Sequence, residues 1–288
     1  MVSVGFVLFK FSQAGPSVDR SSEKTSRQSQ KVRLIESDSK NHEFLHATKE
    51  GCNVSKPLFD NRKIRSISEL KPALQKTLDL AIVDHRQILE LVHKKDENSS
   101  ITAFILLRSC YPYGDDILSL KLGLKIKEKT TREFCTNLPN EVAKNPLALL
   151  DNAAKAGSSE AKLMYAMNVQ SMLKIMKFNG AILSKNEEQA FIKIAEAYGN
   201  SAAIDGIEEA YWFMASAYFG GVFGDRDYTK AYAFTLPQMR IKQDGDAQER
   251  LDLLYRELTM PQIRQAQMLA FGCQIQSNKP GAQLNPFQ

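Results

Sequence analysis

The residues best suited to chemistry lie early in the chain, where His42-Glu43-Phe44-Leu45-His46 fits H-E-x-x-H. On a helix this spacing sets two imidazoles one turn apart to bind zinc, with the glutamate as general base toward metal-bound water. The setting opposes that use. The reaction needs a rigid helix beside a substrate cleft, and here Asp38, Lys40, Asn41, Lys49 and Glu50 surround the motif in a polar stretch. No further histidine follows at the spacing of the longer zinc-peptidase motifs, although Glu69 or His85 could serve as a third ligand. A zinc metallopeptidase using His42 and His46 is the alternative reading; the leading one has no catalytic residue, metal or cofactor.

Other constellations give no reaction. No G-x-S-x-G elbow and no G-x-x-x-x-G-K-[ST] phosphate loop occurs. Gly220-Gly221-Val222-Phe223-Gly224 joins two helices instead of following a strand, so it reads as a turn. His85 and His93 lie eight residues apart on one helix and read as a solvated surface. The four cysteines, Cys52, Cys110, Cys135 and Cys273, include no C-x-x-C pair, which leaves neither a zinc ribbon nor a thioredoxin-like site. Cys110 and Cys135 each sit near a helix end, and the chain between them can return as one hairpin arm. A disulfide there would staple the N-terminal helices and place the protein in an oxidising compartment; two buried thiols are the equal alternative. A periplasmic or secreted location is therefore preferred to the cytoplasm.

The elements that must position these residues follow from composition and periodicity. With 288 residues, 43% of them apolar and 25% charged, the chain can bury one large or two medium cores. Its net charge of +5 is uneven: residues 1–76 hold 14 Lys and Arg against 8 Asp and Glu, and the remainder is close to neutral. The excess lies in a Ser-, Lys-, Gln- and Asn-rich segment from Ser12 to about Lys56, a composition that cannot form a core and reads as a disordered basic tether. Its charges are interleaved with acids and lack stacking aromatics, so nucleic acid is not an expected partner. Before it, Val4 to Phe9 is apolar but too short to span a bilayer and is broken by Lys10. That run is either the stub of an export signal or anchor, which would give the only expected contact with a membrane, or an unstructured start.

Helices are expected from residue 66 onward. Ser66-Ile67-Ser68-Glu69 has the form of a capping box opening a long helix through Val92, which Asp96 to Ser100 breaks. A second helix follows over Ile101 to Ser109. A third runs from Asp115 to Ile126, before another capping-box pattern at Thr130-Thr131-Arg132-Glu133. Further on, Ile207, Ala210, Tyr211, Met214, Ala217 and Tyr218 share one helical face. Gly220 and Gly221 can end that helix, and Asp225 or Asp227 can cap the next, which carries Ala231 and Ala233. Gly157, Gly199 and Gly245 each read as a helix end, at spacings of 42 and 46 residues. Pro237 is expected to shorten or kink its helix, and Thr259-Met260-Pro261-Gln262 to open a last, capping helix.

Glu209 to Phe234 resembles the Sel-one-like repeat, a relative of the tetratricopeptide repeat, in Ala210, Ala217, Tyr218, Gly221, Gly224, Asp227, Lys230 and Ala231. Ala153, Ala154, Gly157, Ala161 and Tyr165 resemble the same family's A-A-x-x-G-x-x-x-A signature; Asn200 to Ile207 reads as an insertion between units. The resemblance spans roughly residues 145–275. It implies an all-α, irregular solenoid of antiparallel helix hairpins, and adaptor roles in assemblies, bacterial envelope processes or host interaction. Cysteine-bridged members that bind penicillin-like molecules carry a cysteine pair in each repeat, which this chain lacks.

The expected organisation is an apolar start and tether over 1–60, an N-terminal helical subdomain over 61–140, repeats with a cap helix over 141–276 and a tail over 277–288. The expected function is a non-enzymatic scaffold or adaptor that binds a protein or peptide, with Trp212, Phe219 and Phe223 as exposed aromatic anchors.

Overall fold

Two helix-ending turns with one backbone signature set the layout. After Ala153-Ala154, Gly157 takes a φ of +110°, the Ser158 N–H donates to the Ala153 carbonyl and the Gly157 N–H to that of Ala154. After Ala202-Ala203, Gly206 takes +88°, and Ile207 and Gly206 donate in the same way to Ala202 and Ala203. Both are left-handed C-caps of the Schellman kind, which satisfy the last carbonyls of one helix while turning the chain into the next. The repeat signature thus recurs as Ala202-Ala203-x-x-Gly206-x-x-x-Ala210, within the stretch that the sequence presents as an insertion.

The structure, a computed structural model, describes residues 57–59, 64–83, 90–94, 96–111, 123–125, 134–242 and 245–272. The chain divides into two units, Met1–Gly51 and Cys52–Gln288, and every described residue belongs to the second. That unit holds both the expected 61–140 subdomain and the repeats. After a 3-10 turn, Ile67–Leu70, the helices are α1 (Lys71–Val83), α2 (Glu97–Arg108), α3 (Asn140–Lys144), α4 (Leu147–Lys155), α5 (Ser159–Phe178), α6 (Lys185–Ile204), α7 (Glu208–Gly220), α8 (Tyr228–Ile241), α9 (Gly245–Glu257) and α10 (Met260–Phe271). Among the described residues there is no strand, only a single bridge between Arg65 and Ile207. The fold is all-α. Consecutive helices pack in order, α4 on α5, α5 on α6, α6 on α7 and α7 on α8, with α9 and α10 both on α8 and α2 joining α1 to α4. Each helix covers the apolar face of its neighbour, the logic of a solenoid.

Several boundaries differ from expectation for identifiable reasons. The helix through Val92 does break before Asp96, but the break stops there and does not run to Ser100: the Asp96 carboxylate accepts from the Ser99 N–H and starts α2. From Ser99 to Arg108 every residue of α2 is buried, so the β-branched run Ile101 to Leu107 is a core helix. Gly199 lies inside α6 and Gly245 at the start of α9, so neither ends a helix. Pro237 neither ends nor shortens α8, which continues to Ile241. Proline removes its own N–H from the ladder and crowds the carbonyl four residues back, but burial of Ala231 to Gln238 against α7, α9 and α10 holds the segment helical. The capping-box pattern at Ser66 does not close on Glu69: the Ser66 hydroxyl accepts from Ser68 and donates to Glu209 of α7. Thr259, by contrast, is boxed as expected, its N–H and hydroxyl both donating to Gln262. The expected third helix and the Thr130 pattern fall mostly outside the described residues.

At Gly199 α6 packs tightly against both of its neighbours. A β-carbon there would lie 2.3 Å from the Met214 sulfur and 3.3 Å from the Ala166 methyl. Glycine is needed for that approach, since its φ is ordinary for a helix. Gly199→Val should therefore destabilise the protein by about 1–3 kcal/mol through overpacking, and Met214→Ala in the same chain should recover part of the loss. Urea unfolding midpoints test this; an unchanged midpoint in Gly199→Val would refute the close packing.

Candidate interaction surface

Aromatic residues of α7, the following turn and α8 interlock in a cluster of Phe213, Tyr218, Phe223 and Phe234 beside a Phe219–Tyr228 pair. Gly221, in the left-handed region at φ +73°, turns the chain, and the Val222 N–H returns to the Ala217 carbonyl. The Asp227 N–H then bonds the Tyr218 carbonyl, while its side chain caps α8 by accepting from the Lys230 N–H. This geometry lays Phe223 against Phe213 and Tyr218, with ring centroids 6.2 and 5.6 Å apart. Tyr218 also stacks on Phe234 at 5.6 Å, and Phe219 meets Tyr228 at the same distance.

Tyr218 anchors this cluster to α6. Its ring is buried, and its hydroxyl donates to Glu196 at 2.8 Å while accepting from the Asn200 amide at 3.1 Å. Lys230 reaches the same Glu196 oxygen at 3.1 Å and lies 4.8 Å from the Tyr218 centroid, a cation over a ring face. Burial, joined by the Glu196 carboxylate, pushes the Tyr218 phenol far above its usual range, so it stays neutral and holds its hydrogen bonds. One helix earlier, Tyr198 donates to Asp151 at 2.7 Å and its ring meets Tyr165 edge-on; burial raises both phenols. These tyrosines are neutral phenols held by their hydrogen bonds and ring contacts.

Of the expected anchors, Trp212 is 40% exposed on the outer side of α7, whereas Phe219 and Phe223 are half-buried against rings of their own chain. Cys110 and Cys135 are joined in a disulfide with Cα atoms 5.4 Å apart, tying the end of α2 to the segment before α3. Among the described residues no group of His, Cys, Asp and Glu is arranged to hold a metal. His42 and His46 lie outside the described residues, as does His85; His93 is exposed. Among the described residues no helix is long and apolar enough to cross a membrane.

A strap that sequence patterns do not reveal braces this surface from behind. The Leu58 and Phe59 N–H groups bond the Leu269 and Ala270 carbonyls at the end of α10, and the Tyr211 hydroxyl donates to the Leu58 carbonyl. Phe59 packs edge-on against Tyr211 and Phe271. Further along, Arg65 pairs with Gly206 and Glu208 through its backbone and with Glu160 through its guanidinium at 3.1 Å. The Glu209 carboxylate accepts from the Ile67 N–H and the Ser66 hydroxyl. The strap thereby supplies partners that the first turn of α7 and the last turn of α10 cannot find within themselves. No spacing rule would have located it; its residues are ordinary and its contacts lie 95 or more positions away.

These observations define an all-α protein of serially packed helix hairpins that carries a braced aromatic surface. No family model and no curated protein matches the chain. Among solved structures it is similar to the crystal structure of c5321, a protective antigen present in uropathogenic Escherichia coli strains displaying an SLR fold, at a TM-score of 0.31 and 14% identity over 70% of this chain. The chain spans 44% of that antigen's length. A likeness of this size carries no argument about function.

Asp205, beside the second turn, gives the surface a pH dependence. Burial disfavours its carboxylate, but hydrogen bonds from Ser159 and Lys162 and the charges of Lys162 and Arg65 outweigh burial and hold its pKa below the ordinary value. A carboxyl whose folded pKa is depressed stabilises the fold above its unfolded pKa and loses that contribution as pH falls through the folded one. The melting temperature should therefore fall on acidification below about pH 4, and less steeply in Asp205→Asn. An identical acid limb in the two proteins would remove Asp205 from the account.

Proposed function

We propose that this chain is a non-enzymatic helical-repeat scaffold that binds a protein or peptide through the outer face of α7 and the turn that follows it. The observation that carries the reading is Trp212: a large aromatic, 40% exposed, on a helix whose inner face and following turn are immobilised by ring contacts and backbone hydrogen bonds. Binding energy at interfaces concentrates in such aromatic anchors, and an anchor whose support is already ordered loses little entropy on binding. Phe219 and Phe223 extend the surface with their exposed edges.

The Cys110–Cys135 disulfide favours an oxidising compartment. A periplasmic or secreted setting, where an adaptor would serve a cell envelope or a host contact, fits it better than the cytoplasm does.

The test is affinity capture from native extract with the full chain and its Trp212→Ala variant, followed by identification of retained proteins and a binding measurement on the strongest. Loss of Trp212 should weaken that complex by about 2 kcal/mol or more, a drop of roughly thirtyfold, with thermal stability nearly unchanged. A partner held equally by both proteins would overturn this surface. Zinc copurifying in stoichiometric amount, and lost in His42→Ala/His46→Ala, would overturn the non-enzymatic reading.

A further inference from the structure

The described part of the chain begins and ends at one place. A β-carbon on Gly272, the last described residue, would lie 3.4 Å from the β-carbon of Pro57, the first, so the two backbones are in contact. Beside that contact the Leu58 and Phe59 N–H groups bond the Leu269 and Ala270 carbonyls at 3.0 and 2.8 Å, and the Phe59 ring meets that of Phe271 at 6.1 Å. The strap and the end of α10 are thus fixed against each other over three consecutive residues.

In the sequence a cysteine lies just beyond each side of this contact. Cys273 follows Gly272 directly, and Cys52 precedes Pro57 by five residues; both are outside the described residues. Five residues of chain span up to roughly 17 Å and consecutive Cα atoms are ~3.8 Å apart, so the reach of Cys52 exceeds the distance from Pro57 to the residue after Gly272. It can therefore bring its Cα within the separation of about 4.4–6.8 Å that a disulfide requires. Cys110 and Cys135 are bonded to each other, which leaves Cys52 and Cys273 as the other two of the four cysteines. An environment oxidising enough to keep the first pair bonded also oxidises a second pair within reach.

We propose that Cys52 and Cys273 form a second disulfide, which seals the strap onto the end of α10. Its formation is a thiol–disulfide exchange with a donor disulfide, oxidised glutathione or an oxidised dithiol protein. One cysteine thiolate attacks the donor, giving a mixed disulfide and releasing the first donor thiolate; the other then attacks the protein sulfur of that bond and expels the second. Two electrons pass from the cysteine pair to the donor, and the two protons of the cysteine thiols end on the donor sulfurs or in solvent. The loop so closed spans about 220 residues and encloses every described helix, whereas Cys110 and Cys135 are only 25 positions apart; the longer loop removes more freedom from the unfolded chain. A strap held by a few backbone hydrogen bonds and ring edges then cannot leave α10 without reduction. The bond forms whether or not the α7 surface binds a partner.

Disulfide mapping of the full chain tests the pairing: the protein is purified without reductant, equilibrated with oxidised and reduced glutathione, alkylated while denatured and digested with trypsin. The expected product joins residues 50–62 to residues 265–288 through Cys52 and Cys273, because Lys56 and Lys279 precede proline and resist cleavage. It should appear in the wild type, persist in Cys110→Ser/Cys135→Ser and be absent from Cys52→Ser/Cys273→Ser. In the latter variant the Leu58 and Phe59 amides should exchange at least about tenfold faster, and the melting temperature should fall by several degrees. Alkylated Cys52 and Cys273 in the wild type would overturn the pairing. So would a link from either of them to Cys110 or Cys135, or a bond between two copies of the chain seen as a dimer that reductant dissolves.

Discussion

The closeness of α6 to α5 and α7 is the constraint on which the rest of the structure rests. Ala166, Ala195, Gly199, Ala202, Ala203 and Ala210 are all buried at this junction, and their small side chains let the helix backbones approach closely. Because α6 is held there, Glu196 and Asn200 meet Tyr218 and Lys230, and Tyr198 meets Asp151. The same junction fixes the register of the Gly157 and Gly206 turns, which carry Glu160, Asp205 and Glu209 to the residues that bind them. A larger residue in the seam would displace the polar network and the aromatic surface together.

Much of this was legible in the sequence, for physical reasons. The shared face of Ile207 to Tyr218, the glycine turn after it and the cap at Asp227 all have local causes, and local causes appear as spacing. The disulfide partners were legible as two cysteines near helix ends. Other features had a signal that went unread: Ala202-Ala203-x-x-Gly206-x-x-x-Ala210 is the same pattern as Ala153-Ala154-x-x-Gly157-x-x-x-Ala161, and Gly206, not Gly199, ends the helix. A buried glycine that permits helix contact and a glycine that ends a helix look alike until the partner helix is known.

The remaining features had no local signal. Ser66 lacks its expected reciprocal partner because Glu209, 143 positions away, takes that place. Leu58, Phe59, Arg65 and Ile67 are held in large part through their backbone groups, which every residue type carries. Exposure at Phe178 and Ile182 is decided only when the helices pack. Long-range pairing and surface exposure thus account for what the sequence withheld, while periodicity and capping account for what it disclosed.

The proposed scaffold role depends on rigidity: the aromatic surface of α7 would be useful as an anchor only if the turn behind it is already ordered before a partner arrives. Hydrogen exchange of the full chain without partner measures this most directly. The account predicts that the Val222 and Asp227 amides, bonded to Ala217 and Tyr218, exchange slowly, together with those of α6 around Gly199. Exchange of residues 221–227 at the rate of an unstructured chain, beside protected helices, would contradict a preformed surface.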